Sequence, residues 1–287
     1  MSTPADKLRA LLEKPGLILV PGCHDALSAR LCELAGFDTC FMSGFAVSAS
    51  RLAMPDTGLI SYGEMVDQGR NICNAVSIPV FGDGDTGFGN ALNVKRTVLG
   101  YARAGFACIM IEDQASPKRC GHTHGKAVVA RSEATLRIKA ALDAREEGAD
   151  ILIMARTDAR ATEGLDEAIE RARTFAELGV DITFLEAPEN EREMRRYCDE
   201  VPGPKMVNLI EYGKTPILPP ADLEAMGYKI AVYPLTLLNV SIRSMQAALA
   251  SIKQGRSPEK ILDFEDLKSA VGFPEYYANE KRYKAEN

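Results

Sequence analysis

The stretch Lys118-Arg119-Cys120-Gly121-His122-Thr123-His124-Gly125-Lys126 gathers lysines, an arginine, two histidines and one thiol, and it has no hydrophobic period. It therefore reads as a loop. A thiol among cationic groups gives up its proton more readily than one in water, so a low pKa and a reactive Cys120 are expected. The glycines on either side of the histidines suit a lid that closes over an anion and excludes water. His122 and His124 lack a third soft ligand nearby, so anion binding fits them better than zinc. Taken alone, the stretch is equally a solvated basic turn.

A second concentration of chemistry is acidic. Gly82-Asp83-Gly84-Asp85-Thr86-Gly87 formally matches the dinucleotide fingerprint, which would make the chain a nicotinamide-dependent oxidoreductase. Two carboxylates inside that loop would face the pyrophosphate it must accept, so this stays an outside reading. The Asp-x-Asp spacing also lacks the glycine and glutamate of a calcium loop. Mg2+ suits it better, because a hard cation that keeps several waters needs only one or two carboxylates plus substrate oxygens. Asp85, with Asp83 and Glu112, is the candidate metal site. Arg156, whose fork matches a carboxylate, completes a site for a small polycarboxylate.

Such residues must be positioned by a framework. Eight short apolar runs recur at Leu17–Val20, Asp38–Met42, Ile78–Phe81, Phe106–Ile111, Asp150–Met154, Asp181–Leu185, Lys205–Val207 and Tyr228–Tyr233. Helical periodicity separates most of them, as in Ala26–Leu34. One junction recurs five times, as Ala35-Gly36-Phe37-Asp38, Ala104-Gly105-Phe106-Ala107, Glu147-Gly148-Ala149-Asp150, Leu178-Gly179-Val180-Asp181 and Met226-Gly227-Tyr228-Lys229. Each places a glycine just past a helix, where a left-handed backbone is needed. Eight βα units predict an α/β fold closed as a (β/α)8 TIM barrel, with an open doubly wound sheet as the rival. In both folds the site forms at the carboxyl ends of the strands, where Ser43-Gly44, Asp83, Asp85, Glu112, Arg156, Asp158, Glu186 and Asn208 fall.

Composition narrows the class. The net charge of -6 argues against nucleic acid, and no apolar run approaches the roughly 20 residues of a membrane span. The N-terminal ten residues are too polar for a secretory signal, so the expected location is cytoplasmic. Seven scattered cysteines without a Cys-x-x-Cys fit reduced thiols. Cys108 and Cys32 read as packing residues.

From about Ala10 to Ala270 the chain resembles the isocitrate lyase / phosphoenolpyruvate mutase superfamily. The resemblance rests on Phe41-Met42-Ser43-Gly44, Pro55-Asp56, Asp83-Gly84-Asp85-Thr86-Gly87-Phe88-Gly89, Ile111-Glu112-Asp113-Gln114, Lys118-Arg119-Cys120-Gly121-His122, Ala155-Arg156-Thr157-Asp158-Ala159, Glu186-Ala187-Pro188, and Asn208 with Glu211-Tyr212-Gly213-Lys214-Thr215-Pro216. It implies one barrel domain over residues 1–287, whose C-terminal helical extension, 257–287, contacts a neighbouring subunit in a homotetramer of helix-swapped dimers. It also implies Mg2+, or Mn2+ in its place, as cofactor. The stretch around Cys120 is similar to the lyase branch, in which the cysteine protonates the carbanion left by cleavage of a 2-hydroxy di- or tricarboxylate to pyruvate and a second carboxylate.

Carried over by matching positions, the resemblance makes Cys120, Asp56 and Lys118 catalytic. It gives Phe41, Ser43, Gly44, Gly121, His122, Arg156, Glu186 and Asn208 to the substrate, and Asp83, Asp85 and Glu112 to the metal. The base is Asp56 or a metal-bound water, and Phe41 stands where some relatives have a tyrosine. Ile210 replaces a hydroxylated residue of methylisocitrate lyases, and Thr123-His124-Gly125-Lys126 replaces their usual continuation. An apolar side chain gives a third carboxylate nothing to bind, which favours a 2,3-dimethylmalate-type substrate over 2-methylisocitrate. Oxaloacetate hydrolysis or decarboxylation and carboxyphosphonate-type chemistry remain alternatives within the same superfamily.

Overall fold

The computed structural model describes residues 2–122 and 125–283. Helix α1 (Pro4–Glu13) precedes the first strand, β1 (Ile18–Cys23). There follow α2 (Ala26–Leu34), β2 (Cys40–Met42), α3 (Gly44–Leu52), α4 (Tyr62–Ala75), β3 (Val80–Asp83), α5 (Ala91–Ala104) and β4 (Cys108–Glu112). The second half runs α6 (Arg131–Glu146), β5 (Leu152–Thr157), α7 (Leu165–Glu177), β6 (Ile182–Leu185), α8 (Glu191–Glu200), β7 (Lys205–Asn208), α9 (Pro220–Met226), β8 (Ile230–Tyr233) and α10 (Thr236–Lys253). Two helices, α11 (Phe264–Ala270) and α12 (Phe273–Arg282), end the described chain.

All eight strands are parallel and pair in chain order, and β8 pairs with β1 from Ile18↔Ile230 to Pro21↔Tyr233, closing the barrel. The open-sheet rival is thereby excluded. Each expected apolar run holds a strand, but seven of the eight strands begin one or two residues later than the run, and five end one to three residues later. The five junction glycines explain the late starts, since all adopt φ between 84° and 108° and the residues after them still belong to the turn. The late ends have a chemical cause: Asp83, Glu112, Arg156 and Asn208 are polar yet lie in the strands themselves.

The barrel interior is filled by Val20, Phe41, Phe81, Met110, Met154, Phe184, Met206 and Ile230. Helix α1, which hydrophobic runs alone did not announce, adds Ala5, Leu8 and Leu11 to this cluster. Its start is written locally: the Thr3 hydroxyl accepts the Asp6 amide, the Asp6 carboxylate accepts the Thr3 amide, and Pro4 stands in the first turn. Lys7 donates to the Ser77 carbonyl and Arg9 to Asp150, so α1 covers the amino-terminal mouth. Burying Leu8 completely contributes about 1.5–3 kcal/mol.

The chain divides into two compact units, residues 1–238 and 239–287. The first is the barrel. In the second, no described residue is buried, while Met245, Leu249, Phe264, Phe273, Tyr276 and Tyr277 are among its exposed large apolar side chains. No helix among the described residues is long and apolar enough to cross a membrane.

Candidate active site

At the carboxyl ends of the strands lies a cavity of about 40 Å³, lined by Phe41, Ser43, Asp56, Asp83, Lys118, Cys120, Gly121, His122, Arg156, Glu186 and Asn208. These are eleven of the fourteen residues expected at the site; Gly44, Asp85 and Glu112 lie outside its lining. The volume admits roughly three water molecules.

The acidic side of the site is built on β3 and β4. Both Asp83 carboxylate oxygens are occupied, one by the Gly44 amide and one by the Asp85 amide, each at 3.1 Å. Gly44 thus acts on Asp83 at the start of α3, and a Cβ there would lie 2.6 Å from Asp83 Oδ2. The Asp85 carbonyl accepts the Glu112 amide at 2.9 Å, tying the two loops together. Asn90 caps α5 with its own side chain, so no aspartate of the loop is needed there. The dinucleotide reading fails here too, because α5 starts at Ala91, beyond the glycines that should open it.

Among the described residues no three His, Cys, Asp or Glu side chains stand close enough to hold a metal between them. Asp83 accepts one backbone amide on each oxygen and keeps a lone pair on both, so it stays a candidate ligand beside Asp85 and Glu112. Burial pushes the Asp85 carboxyl up to about 7, against the opposing pull of Lys118. Burial also raises Glu112 well above the usual range, although Arg156 opposes it. Glu112 Oε1 is buried with no hydrogen-bond partner among the described residues. Two desolvated oxygen donors, one of them orphaned, fit a hard cation completed by water and substrate oxygens.

Lys118 reaches in from the loop to Asp56 Oδ1 at 2.5 Å and Asp85 Oδ1 at 2.7 Å. Burial lowers its pKa, but Asp85 and Asp56 outweigh burial, so it stays an ammonium. On the opposite wall Arg156 grips Asp158 with Nε at 2.8 Å and Nη2 at 3.1 Å, while Nη1 lies 3.3 Å from Glu186. The bidentate face expected for a substrate carboxylate is therefore turned to Asp158. His122 Nδ1 accepts the Lys214 amide at 3.0 Å, which places the imidazole proton on Nε2, 2.8 Å from Glu186 Oε1. His122 thus faces a carboxylate rather than a metal. Its sequence neighbours Thr123 and His124, the latter expected to bind an anion, lie outside the described residues.

The expectation of an acidified thiol is overturned. Cys120 is pushed up to about 11, chiefly by burial, with Asp56 and Glu186 adding to the effect and a hydrogen bond from the His122 amide opposing it. The cations meant to lower it are engaged elsewhere: Lys118 with Asp56 and Asp85, Lys126 with Asp158. The Cys120 amide donates to the Asp56 carbonyl at 3.2 Å, so the neutral thiol is docked beside Asp56.

Sequence reasoning passed over the hydrogen bonding behind this wall. Asp113 accepts the Thr157 hydroxyl, the Asp158 amide and Arg171. Its place beside Glu112 at a strand end was the available signal. Apolar neighbours of the cavity, Phe45, Met110, Phe184, Met206 and Leu235, come from scattered elements and had no common sequence mark.

Residues 8–253 match the family model described as phosphoenolpyruvate phosphomutase. The chain is 42% identical over 287 residues to the 2,3-dimethylmalate lyase of Eubacterium barkeri, covering 99% of each. It is 40% identical to a 2-methylisocitrate lyase of Aeropyrum pernix, covering 96% of this chain and 90% of that one. Among solved structures, oxaloacetate acetylhydrolase in complex with 3,3-difluorooxalacetate superposes with a TM-score of 0.93, at 33% identity and 99% coverage of both chains. A phosphonopyruvate hydrolase complex with oxalate and Mg++ superposes at 0.86, with 30% identity over 98% of this chain and 99% of that one.

Proposed function

The chain belongs to the phosphoenolpyruvate phosphomutase family, and we propose that within it this protein is a Mg2+-dependent carbon–carbon lyase that splits a 2,3-dimethylmalate-type acid into pyruvate and a second carboxylate. The observation that carries this reading is the buried Cys120 thiol, its pKa raised by that burial, in the wall of a cavity that also holds Asp56, Lys118 and Arg156. A proton donor must keep its proton until a carbanion appears, and burial keeps it there. The relatives named as lyases support the same reading.

In the proposed reaction Asp56 takes the proton of the 2-hydroxyl. The carbon–oxygen bond becomes a carbonyl as the bond between C2 and C3 breaks, and its electron pair moves onto C3 and the adjoining carboxylate. Pyruvate is one product. Cys120 delivers its proton to C3, completing the second carboxylate; Asp56 then gives up the hydroxyl proton and the thiolate takes one back through solvent, so the cycle consumes no net proton. Lys118, an ammonium between Asp56 and Asp85, offsets negative charge beside the reacting atoms. Arg156, with His122 and Asn208, orients the substrate carboxylates, Glu186 holds His122 and Arg156 in place, and Ser43, Gly121 and Phe41 shape the wall. Asp85 and Glu112 would hold the cation, with Asp83 a further candidate ligand. Bound Mg2+, or Mn2+, supplies a fixed positive charge at the 2-oxo acid end.

The apolar part of the wall supports the substrate class: Ile210, Phe184, Met206 and Leu235 give alkyl groups a surface. Oxaloacetate hydrolysis or decarboxylation is a second reading, favoured by the likeness to oxaloacetate acetylhydrolase. The test is pyruvate release with Mg2+ from 2,3-dimethylmalate, 2-methylisocitrate and isocitrate, following oxaloacetate loss in parallel, for wild type and Cys120→Ser. Hydroxy-acid cleavage that collapses by about 10²–10⁴-fold in the variant supports the lyase. Oxaloacetate turnover alone, indifferent to Cys120→Ser, overturns it.

The second unit bears on assembly. Residues 239–283 bury nothing of their own yet expose large apolar side chains, which supports a C-terminal segment, including 257–287, that is covered by another copy in a helix-swapped homotetramer. The cytoplasm is the proposed location.

A further inference from the structure

The loop carrying Cys120 is held on both sides of the thiol. Before it, the Gln114 side-chain amide takes both backbone groups of Arg119, accepting its N–H at 2.9 Å and donating to its carbonyl at 2.8 Å. After it, Lys126 Nζ donates to the Gly121 carbonyl at 2.5 Å and to Asp158 Oδ1 at 2.8 Å. The Lys126 side chain is 2% exposed and that of Asp158 is fully buried. Asp158 is itself fixed, its amide donating to Asp113 Oδ1 at 2.8 Å while Arg156 meets both its oxygens.

We propose that Lys126 is a positioning residue, a buried catch that ties the Gly121 carbonyl to Asp158 and so fixes the Cys120 thiol against the end of β5 when the loop is shut. Arg156 already gives both oxygens of Asp158 a partner, so what Lys126 adds is its grip on the loop. A buried ammonium is a costly way to fill space, and a methionine of similar length would pack there without that cost. Only a donor at this position holds the carbonyl beside the thiol. The proposal rests on Cys120 being the proton donor.

The test uses the full chain as wild type, Lys126→Met and Lys126→Arg, with two readouts. The first is kcat and KM for pyruvate release from the 2-hydroxy acid that the wild type cleaves. The second is the rate of iodoacetamide labelling at Cys120, followed by peptide mass spectrometry with Cys73 as internal reference. A misplaced donor costs about 100-fold in kcat with KM little changed. Release of the loop raises Cys120 labelling by about tenfold, as exposure brings the thiol back toward its ordinary pKa, and leaves Cys73 unaffected. Lys126→Arg, which keeps donors, restores most of both. A residue that merely stabilises the fold would lower the melting temperature without moving either ratio, and that result overturns the catch. So does faster labelling with kcat intact. If Lys126→Met does not fold, Lys126→Gln, with a neutral donor on a shorter side chain, is read against Lys126→Arg in the same way. If the wild type cleaves none of the acids, the function proposed above fails, while the labelling ratio still decides whether Lys126 holds the loop.

Discussion

Gly121 and Arg156 meet so closely that a Cβ on Gly121 would lie 2.5 Å from Arg156 Nη2, with the Glu186 carboxyl carbon at the same distance. A buried guanidinium fixed by Asp158 cannot step aside, so the smallest side chain at 121 would hold the loop off its seat. Gly121→Ala is expected to lower kcat about 100-fold while the melting temperature stays close to wild type. Steady-state pyruvate release beside thermal unfolding checks this. An alanine variant of wild-type activity would mean the loop closes differently.

The Cys120 thiol sets a pH dependence. Its pKa is raised to about 11, so the donating form persists through the whole neutral and mildly alkaline range and is lost only as pH approaches 11. The folded protein holds this proton more tightly than the unfolded chain does. The associated stability is complete below the ordinary thiol range and is lost as pH rises through about 11. Iodoacetamide labelling of Cys120 should climb about tenfold per pH unit from 8 to 10 without a plateau. A plateau below pH 9 would show an acidic thiol.

Asp85 links the metal to stability. Its carboxyl is pushed up to about 7 by burial, so the stability carried by its bound proton is full below the ordinary range near 3.8 and is lost as pH rises through about 7. Above that pH a divalent cation held as proposed would relieve the buried charge. Mg2+ at a hundredfold excess over its dissociation constant should stabilise the wild type by about 2.7 kcal/mol. Asp85→Asn should lose that increment and its pH dependence without unfolding. Differential scanning fluorimetry with Mg2+ or EDTA at pH 6 and 8 decides it; an equal Mg2+ shift in the variant would place the cation elsewhere.

Leu8 tests the barrel floor. Its side chain is fully buried in the interior cluster, so Leu8→Ala should cost about 2–5 kcal/mol in denaturant unfolding while kcat per folded molecule is unchanged. A large loss of kcat at full folding would tie α1 to the site.

The barrel was legible because its signals are local. A glycine such as Gly105 or Gly227 after a helix and an apolar run before a polar residue are both written within a few positions. Most of the site was legible for the same reason, since strand ends converge once a barrel closes, whatever their distance in the chain. Charge pairing was not legible. Lys118 and Lys126 lie in the same short loop as Cys120, yet each turns to carboxylates from other loops, and burial then raises the thiol that their proximity seemed to acidify. Asp158 likewise takes the face of Arg156 that a substrate was expected to use. Partners chosen across the fold and the loss of water around them have no mark in a linear pattern.

The raised Cys120 thiol also bears on how long the enzyme lasts. Peroxide attacks thiolates, and burial that raises the Cys120 pKa leaves little of the thiol ionised at neutral pH. Oxidation to sulfenic acid must wait for that rare species, in a cavity too small to admit more than a few waters. In the reaction proposed above, the desolvation that would reserve the proton for the substrate would also shield the sulfur from oxidants, and a cell under oxidative stress would lose this activity later than it loses enzymes that work through an acidic cysteine.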